Sequence, residues 1–579
     1  MHKWILSAGV LVLAASCSNE ESFSTEDSYD VIVYSGEPEG VAAAVSAARA
    51  GAQVLMIEPD DTLGGLITQG MLNYLDIPEN DDGVTVSQGI FSEWHERAGG
   101  RHLSTVDLDE AEEAFEELID GEPSIELKKE TDITDLRLDG NKLSDVELNE
   151  DRWVEGGRFI DASPDADLAV MAGAPYFVGQ EDIFKDELMS ATLMIYLDGV
   201  DWDGVREAAA DDVFGGAGIH EYAAWGFPDV LFEYEETIGG DVTNMRGLNI
   251  GRTQHGEVFI NALQLYGVDG LDEESMEAAV EAGIEETDHF VPWLRDNIPG
   301  FEEAEIVEYP EELYIRETRH VESEYMLPVS ALWENKHHWD DIAIGGYPAD
   351  IQAVGPDDFG SITVDPDQYG IPFRSLIPQE VDGLLTASKA SGYSSLAAGS
   401  ARVIPTGMAA AEAAGRAAAM SAEEDTDFRE MKEDEGMITA LQEELRETGH
   451  YLEQLDDPDY PYQGEPYYEA LKLLYSYDII FGGYDNDFYL DEPMEADRTA
   501  MKVRRALDRT GALTEELDAF LMDREEAWSG DALHAGHAEE LSDNIPWDIS
   551  IQDEYERLDV LLDIEEQMRP GLEERRNSE

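Results

Sequence analysis

Cationic side chains cluster in the segment YIRETRHVE, which contains Arg316, Arg319 and His320. A fixed guanidinium can hold a carboxylate or hydroxyl group of a small molecule, and an imidazole can take up a proton. If the segment is a strand, residues 316 and 320 point to one face and residues 317 and 319 to the other. We predict a substrate site here, and pairing of both arginines with neighbouring glutamates remains an open alternative.

Further candidates for this site lie in two other segments, GGYPAD and LNIGRTQH. They are Tyr347 and Asp350 in the first segment, and Asn249, Arg252 and His255 in the second. The adjacent His337 and His338 could suggest a metal, but no carboxylate or thiolate lies at convincing ligand spacing. We therefore predict two solvent-exposed histidines there and no metal site.

A second type of chemistry is indicated by DVIVYSGEPEGVAAAVSAARAGAQVLMIEP, residues 30–59. The pattern predicts a strand over Asp30–Tyr34, a turn with Gly36 and Gly40, and an Ala-rich helix over Val41–Ala50. Glu58 follows Gly36 by 22 residues, the spacing at which a carboxylate can bond a ribose hydroxyl. The helix start offers amide groups and a partial positive charge to phosphate, so the stretch predicts a dinucleotide site.

Three residues depart from the usual turn: Ser35, Glu37 and Glu39. We expect the side chain of Glu37 to point outward while its N–H faces the phosphate, which weakens the site without abolishing it.

Segments that complete such a site follow downstream. They are GGLITQG at 64–70, RFIDAS at 158–163, a strand over Leu384–Ala387, and SARVIPTGMAAAEAAG at 400–415. Pro405 is a sound helix N-terminal signal, and Thr406 and Gly407 would offer exposed N–H groups to an electron-rich group.

Taken in order, these segments resemble the FAD-dependent oxidoreductases of the glutathione-reductase-like flavoprotein class, and in particular its bacterial, often exported members. The resemblance covers residues 30–420. It implies an α/β fold: a Rossmann-like FAD-binding domain of the glutathione-reductase type, an inserted α+β substrate domain and a helical C-terminal region. It also implies these FAD contacts: Gly36, Glu37 and Gly40 at the pyrophosphate, Glu58 at the ribose, Gly64, Gly65 and Thr68 near the ribityl chain or ring, Asp161, Ala162 and Ser163 on the adenosine side, and Arg402, Pro405, Thr406 and Gly407 at the isoalloxazine.

The domain boundaries follow from the same order of segments. We expect a signal peptide with a lipobox over 1–17, a tether over 18–29, an FAD-binding domain over 30–169 and 340–424, an inserted substrate domain over 170–339, and a helical region over 425–579.

Residues 454–507 resemble a single S-layer homology repeat. The wall-binding motif there reads Glu495-Ala496-Asp497-Arg498, so only a weak cell-wall contact is expected, and a helical cap on the flavoprotein is the alternative. Helices are predicted over Glu515–Ala527 and Tyr555–Met568.

The chain of 579 residues has 131 acidic and 36 basic residues, a formal net charge of -95. Such a charge indicates a solvated acidic surface adapted to high salt, where a Debye length of ~3 Å at 1 M makes self-repulsion tolerable. Nucleic acid and anionic membrane surfaces are therefore excluded as direct partners.

The N-terminal MHKWILSAGVLVLAASC contains the only cysteine, Cys17, after an apolar run too short to span a bilayer. We expect export, with Cys17 lipidated and anchoring the protein to the membrane at the cell surface or in the periplasm; ordinary secretion and a buried cysteine remain alternatives.

The sequence lacks a Cys-x-x-Cys and a second glycine turn for NAD, which favours a substrate dehydrogenase over an NADH-driven reductase. We predict hydride transfer from a sugar, polyol or hydroxy acid to FAD, with His320, Arg316, Arg319 and Tyr347 at the substrate and with an undetermined electron acceptor. The alternatives are a surface-binding lipoprotein with a vestigial nucleotide fold and a flavin-containing lyase or isomerase.

Overall fold

The computed structural model describes residues 27–100, 104–149, 152–356, 358–455, 462–547, 549 and 557–578. The predicted signal peptide, Cys17 and most of the predicted tether lie outside the described residues. The strands are β1 (Asp27–Tyr34), β2 (Val54–Ile57), β3 (Ile125–Lys128), β4 (Ile133–Asp139), β5 (Lys142–Leu148), β6 (Arg152–Asp161), β7 (Tyr176–Val178), β8 (Ile195–Asp198), β9 (Ala217–Ile219), β10 (Ala223–Gly226), β11 (Thr243–Arg252), β12 (Val258–Leu265), β13 (Glu305–Ile306), β14 (Arg319–Val321), β15 (Asp341–Gly345), β16 (Asp350–Ile351), β17 (Ser361–Ile362), β18 (Tyr369–Pro372) and β19 (Leu384–Thr386).

The helices are α1 (Pro38–Arg49), α2 (Gly65–Thr68), α3 (Ile90–Arg97), α4 (Leu108–Asp120), α5 (Asp167–Met171), α6 (Trp202–Ala210), α7 (Val230–Glu233), α8 (Glu273–Asn297), α9 (Val329–Trp333), α10 (Ser395–Ala401), α11 (Ile404–Glu423), α12 (Phe428–Met431), α13 (Glu435–Glu447), α14 (Tyr468–Ser476), α15 (Ala496–Arg509), α16 (Glu515–Ala527), α17 (Ala535–Asn544) and α18 (Arg557–Ser578).

A parallel sheet forms the centre of the first half of the chain. Its strands lie in the order β3-β2-β1-β6, and β19 pairs in parallel with the last residues of β6. Val31, Ile32 and Val33 are fully buried, as expected for a strand covered on both faces. The antiparallel hairpin β4-β5 pairs with the first residues of β6. The carboxyl ends of β1, β6 and β19 therefore meet at one edge of the sheet.

Two Ala-rich helices, α1 and α11, cross closely on one face of this sheet. Gly415 of α11 lies so near α1 that an added Cβ would overlap the carbonyl oxygen of Ala43. Small side chains allow this approach, and the buried alanines of both helices belong to one core. The predicted strand before the glycine turn, the Ala-rich helix after it and the helix at Pro405 are thus confirmed. Helix α1 begins at Pro38 and α11 at Ile404.

An antiparallel sheet, β13-β8-β12-β11-β10-β9, lies in the segment between β7 and β14 and has a core of its own. The long helix α8 packs on that core through Phe290, Val291 and Leu294.

The C-terminal helices divide between two cores. Residues of α12 and α13, among them Phe428 and Leu441, join the core of α1 and α11. Helices α14 to α18 share a different core with α9 and α10, in which Trp333 contacts Tyr475 and Phe488. Helix α16 has the predicted bounds, and α18 overlaps the helix predicted over 555–568. Among the described residues, no helix is long and apolar enough to cross a membrane.

Candidate functional site

The turn after β1 brings backbone groups to the edge of the parallel sheet. Ser35 has a φ of 85°, a left-handed conformation that favours glycine, so serine is strained there. Gly40 approaches the turn so closely that an added Cβ would overlap the carbonyl oxygen of Ser35. The first backbone bond of α1 runs from Val41 N to Glu37 O at 3.0 Å, so the Gly40 amide precedes it and is available to an anion.

Glu58 directly follows β2, and its side chain contacts the glycine turn at Gly36. Its carboxylate accepts hydrogen bonds from the amide of Gly36 and, at 2.7 Å, from the amide of Asp60. Burial raises the pKa of Glu58, and these two amides oppose the increase. A side chain fixed in this way at a strand end can receive a ribose hydroxyl.

The loop around α2 is tied to the same turn. Gly64 donates its amide to Gly36 O at 2.9 Å and has a φ of 98°. A side chain on Gly64 would meet the ring of Phe115. Thr68 points back into the loop, where its hydroxyl donates to Leu63 O at 2.9 Å. Gly64 and Gly65 thus approach the glycine turn through backbone, whereas Thr68 stabilises the loop.

The expectation that Glu37 points outward is wrong. Its half-buried carboxylate turns inward against Gly65 and accepts a hydrogen bond from the amide of Leu66 at 3.4 Å. The amides at the start of α2 have no intrahelical partners, so they attract the carboxylate. Burial, and then the nearby charges of Glu312 and Glu39, raise the pKa of Glu37.

Glu39 faces the start of α11 from the start of α1. An added Cβ on Gly407 would overlap its carboxyl oxygen. Burial raises the pKa of Glu39 to about 7. Thr406, in the first turn of α11, is fully buried, and its hydroxyl has no hydrogen-bond partner among the described residues. The two helix starts therefore face each other, with one titratable carboxyl group between them.

Asp161 ends β6, Ser163 follows it, and the two side chains are hydrogen-bonded to each other. Asp161 accepts from Ser163 Oγ at 2.6 Å and from the amide of Ala169 at 2.8 Å, and burial raises its pKa to about 6. Ser163 also accepts from the amide of Asp167 at 2.9 Å. These contacts fix the β6–α5 connection, and Ser163 additionally lines the cleft described next.

Two clefts meet at this edge of the sheet. The outer cleft, of about 480 Å³ with its open mouth, is lined by Tyr34, Ser35, Glu37, Glu58, Pro59, Asp60, Thr62, Gly65, Gln69, Ser163, Pro164, Asp167 and Glu312. The inner cleft, of about 710 Å³ with its open mouth, is lined by Glu37, Glu39, Leu66, Leu72, Tyr74, Leu75, Asp76, Ala162, Pro164, Asn261, Tyr314, Ile315, Arg316, Ser388, Lys389, Arg402, Val403, Ile404 and Pro405. Glu37 and Pro164 line both clefts, so the two clefts are adjacent and the Glu37 side chain lies where they meet.

The inner cleft gathers arginine and tyrosine side chains. Arg402 donates to Tyr314 Oη at 2.8 Å and to Asp350 O at 3.2 Å. Arg316 lies over the Tyr314 ring, 4.2 Å from its centroid, and donates to Ser190 O at 2.8 Å. Burial lowers the pKa of Arg316 to about 10, which leaves it charged near neutral pH.

A carboxyl group that lines the inner cleft, that of Asp76, is hydrogen-bonded to a phenol behind it, that of Tyr347. Asp76 is exposed in the open cleft. Desolvation by the surrounding walls, and then the charge of Asp350, raise its pKa, while a hydrogen bond from Tyr347 opposes the increase. Burial, Asp76 and Asp350 all raise the pKa of Tyr347, so its phenol stays protonated. The cleft therefore contains a proton acceptor and fixed positive charge, with a phenol bonded to the acceptor, and oxidation of a hydroxyl requires such an acceptor.

The remaining predicted substrate residues do not join this set. Strand β14 begins only at Arg319, so, contrary to the prediction, Arg316 and His320 do not share one face of a single strand. Because β14 pairs with β7, His320 stacks on Phe177 at 4.9 Å, and burial lowers its pKa to about 4. Arg319 forms an ion pair with Asp167 at 2.6 Å.

The second-rank residues are mostly peripheral. Asn249 pairs along β11 with Asn261, which lines the inner cleft. The His255 side chain is 69% exposed, 3.7 Å from Asp107, and Arg252 lies over Trp202. The expectation that His337 and His338 are exposed is wrong, because both hydrogen-bond the buried Asp341. Within the described ranges, no three His, Cys, Asp or Glu side chains are grouped to hold a metal.

The sequence model of the family described as FAD dependent oxidoreductase matches residues 30–445, most of the chain. The chain belongs to this family. It is an FAD-dependent oxidoreductase, and FAD is its cofactor. No curated protein matches the chain.

Solved flavoprotein structures are similar only at a coarse level. The geranylgeranyl bacteriochlorophyll reductase-like protein of Thermoplasma acidophilum is 11% identical, with a TM-score of 0.37 over 90% of this chain and 97% of that one. L-proline dehydrogenase of P. horikoshii is 11% identical, with a TM-score of 0.32 over 69% and 94%. The p-nitrophenol 4-monooxygenase of Pseudomonas putida DLL-E4 is 10% identical, with a TM-score of 0.36 over 78% and 98%. The assignment rests on the family match.

The clefts of this oxidoreductase fit FAD. The close backbone approaches at Gly40 and Gly64 suit a phosphate beside the glycine turn. The buried hydroxyl of Thr406, which has no hydrogen-bond partner among the described residues, can bond a group at the start of α11. The carboxyl groups of Glu37 and Glu39 stand in the path, but their raised pKa values favour the neutral forms, which can donate a hydrogen bond to phosphate.

Several site residues were missed by sequence reasoning. Asp76, Tyr314, Glu312 and Lys389 line the clefts from irregular segments without periodic pattern or motif. For Asp76, the one available signal is a lone carboxylate in the apolar context MLNYLDIP. Their roles depend on contacts between distant parts of the chain.

Proposed function

We propose that this FAD-dependent oxidoreductase oxidises a hydroxyl group of a small organic molecule: a sugar, polyol or hydroxy acid. The observation that carries the proposal is the inner cleft, where Asp76 and Tyr347 lie beside Arg402 just before the start of α11. Bound FAD would accept the hydride that leaves the substrate carbon, and this hydride carries both electrons of the oxidation.

The side chains of the inner cleft have separate roles in this proposal. Asp76 takes the proton of the substrate hydroxyl, and its raised pKa brings it closer to the neutral range in which a general base works best. Tyr347 orients the same oxygen. Arg316 and Arg402, held by Ser190 and by Tyr314 respectively, fix the substrate and stabilise negative charge that develops in the cleft.

We infer a glutathione-reductase-type arrangement for the cofactor domain. The parallel order β3-β2-β1-β6-β19 and the β4-β5 hairpin beside it support that choice. In this arrangement, the starts of α1 and α2 hold the diphosphate, Glu58 holds the adenosine ribose, and the start of α11 with Pro405, Thr406 and Gly407 faces the flavin ring. Asp161 supports the adenosine end through Ser163.

The proposed direction is substrate dehydrogenation, with electrons leaving to an acceptor other than a disulfide. The lack of a Cys-x-x-Cys supports this direction, because Cys17 is the only cysteine. We also propose that the mature protein is exported and anchored through a lipid on Cys17, in a salt-adapted cell, as the net charge of -95 suggests.

The direct test is reduction of the bound flavin without oxygen. The protein is purified in high salt with FAD, made anaerobic and mixed with panels of sugars, polyols and hydroxy acids. Bleaching of the flavin by one of these classes is the expected result. Bound flavin that none of them reduces would contradict the proposed substrate chemistry, while leaving the family assignment intact.

A further inference from the structure

A loop of the C-terminal region docks beside the inner cleft. It connects α14 to α15 and contains the 3₁₀ turn Gly483–Asp485. Gly482 donates its amide to Thr363 O at 2.9 Å. Asn486 accepts from the amide of Asp365 at 2.9 Å and donates its side-chain amide to Asp365 O. The loop is therefore fixed to the chain around β17 on both sides of its tip.

The docking point is one strand away from the cleft. Strand β17 pairs with β16, and Ile362 lies opposite Asp350. The carbonyl of Asp350 accepts from Arg402, which lines the inner cleft. The loop tip therefore stands at the rim of that cleft, although it is more than 70 residues after Arg402 in the chain.

Tyr484 is at this tip and is 66% exposed. The turn that presents it is rigidly specified, because Gly483 has a φ of 62° and Asn486 a φ of 53°, and these two residue types tolerate the left-handed region. Partial burial of its phenol, and then the carboxylates of Asp350, Asp365 and Asp76, raise the pKa of Tyr484, in keeping with the docking of its loop on Asp365 beside β17. A fixed and exposed aromatic ring at the mouth of a site is suited to contact with a ligand.

The chemistry of the rim selects among the proposed substrate classes. Four aspartates lie close to Tyr484, either in the fold or in the chain: Asp350, Asp365, Asp485 and Asp487. A rim with these carboxylates repels anions. A sugar ring is neutral, places its C–H face against an aromatic ring and offers its hydroxyls to carboxylates. A hydroxy acid carries a negative charge and lacks such a ring face.

We propose that Tyr484 is a specificity-determining residue, which forms the outer wall of the substrate site and stacks on the second ring of a neutral carbohydrate. The inference rests on the proposed function, since it assumes that the inner cleft oxidises a hydroxyl at the other end of the same substrate. It also gives the C-terminal region a part in the active site.

The test uses the full chain with bound FAD in high salt. Anaerobic flavin reduction is followed with glucose and xylose, each as the mono-, di- and trisaccharide. Tyr484→Ala should raise the half-saturating concentration of the di- and trisaccharides about fivefold and leave that of the monosaccharides and the limiting rate unchanged. Tyr484→Phe keeps the ring and should behave like the unmodified protein. Phe232→Ala, at a 72% exposed aromatic residue in the segment of the second sheet, is the matched control.

Two results overturn the inference alone: an equal effect of Tyr484→Ala on sugars of every length, or reduction of the unmodified protein by hydroxy acids and by no sugar. A flavin that no member of any panel reduces overturns the proposed function, and this inference falls with it.

Discussion

The outer and inner clefts are built in different ways, although they meet at Glu37. The outer cleft and the helix starts above it depend on backbone: Gly40 against Ser35, Gly64 against Gly36 and the amides that begin α1. The inner cleft depends on side chains from separate segments, among them Asp76, Tyr314 and Arg402. A cofactor shared by a whole family can be held by backbone, whereas a substrate site requires particular side chains that can vary. Substitutions that change the size of a residue should therefore impair FAD binding at the outer cleft, and substitutions that change a functional group should impair the reaction in the inner cleft.

The largest effect is expected from Gly40→Val. A side chain there would overlap Ser35 O, so α1 must shift from β1 and the phosphate-binding amides move with it. Overpacking of this kind costs about 1–3 kcal/mol, and we expect FAD affinity to fall by at least about tenfold. Gly216→Val is the control, because an added Cβ there would meet no atom within 4 Å. Flavin bound per chain after desalting measures both variants, and full retention by Gly40→Val would contradict the backbone account of the outer cleft.

A change of chemistry without a change of shape should affect only the inner cleft. Asp76→Asn removes the proposed base and keeps the size of the side chain, so flavin reduction should slow by about 10²- to 10⁴-fold while FAD remains bound. Stopped-flow reduction and flavin content are measured on the same preparation. Asp211→Asn, at an exposed position directly after α6 and outside both clefts, is the matched control and should reduce at the normal rate. Loss of FAD from Asp76→Asn would show that the two regions are not separable.

A smaller effect is expected where the clefts meet. The raised pKa of Glu39, about 7, means that its carboxyl is protonated below pH 7 and becomes an anion above it. The same space is faced by the cation Lys389 and by three further carboxyl groups whose pKa values are raised, those of Glu37, Glu312 and Glu58. Because FAD brings a diphosphate, its affinity should fall a few-fold as the pH rises from 6 to 8, and Glu39→Gln should flatten that profile. Fluorescence titration of FAD at each pH measures it, and an unchanged profile in Glu39→Gln would assign the effect to other groups.

The same raised pKa values predict the pH dependence of the stability of the apoprotein. The folded state binds more protons than the unfolded state between the ordinary carboxyl pKa and about 7, so the stability contributed by Glu39 declines as the pH rises through this window.

The smallest effect is expected from Ser35→Gly. Serine at a φ of 85° carries backbone strain that glycine relieves, although glycine gains more freedom in the unfolded chain. We expect a net stabilisation of about 1 kcal/mol and slightly tighter FAD binding. The unfolding midpoint in denaturant measures the change, and a clear loss of stability would mean that the Ser35 hydroxyl, 3.3 Å from the Glu37 amide, matters more than the strain.

The outer cleft could be predicted because its signals are local. Gly36, Gly40 and Glu58 lie within one β-α-β unit, and Pro405 marks the start of α11 in the sequence itself. The side chain of Glu37 was misplaced because its partner, the Leu66 amide, lies 29 residues away in another loop. The sequence pattern predicts one strand that contains both Arg316 and His320, but β14 begins only at Arg319. The start of this strand is set by its pairing with β7, a distant segment of the chain. Asp76 lines the inner cleft, and the loop of Tyr484 docks beside β17, through tertiary contacts that no local pattern contains.

The most direct test of the account is a titration of FAD into the full-length apoprotein in high salt, followed by the visible spectrum. The account predicts saturation at one FAD per chain, with the perturbed absorption of a flavin held in a protein. A protein that remains colourless after desalting, with no change in the flavin spectrum at any FAD concentration, would contradict it.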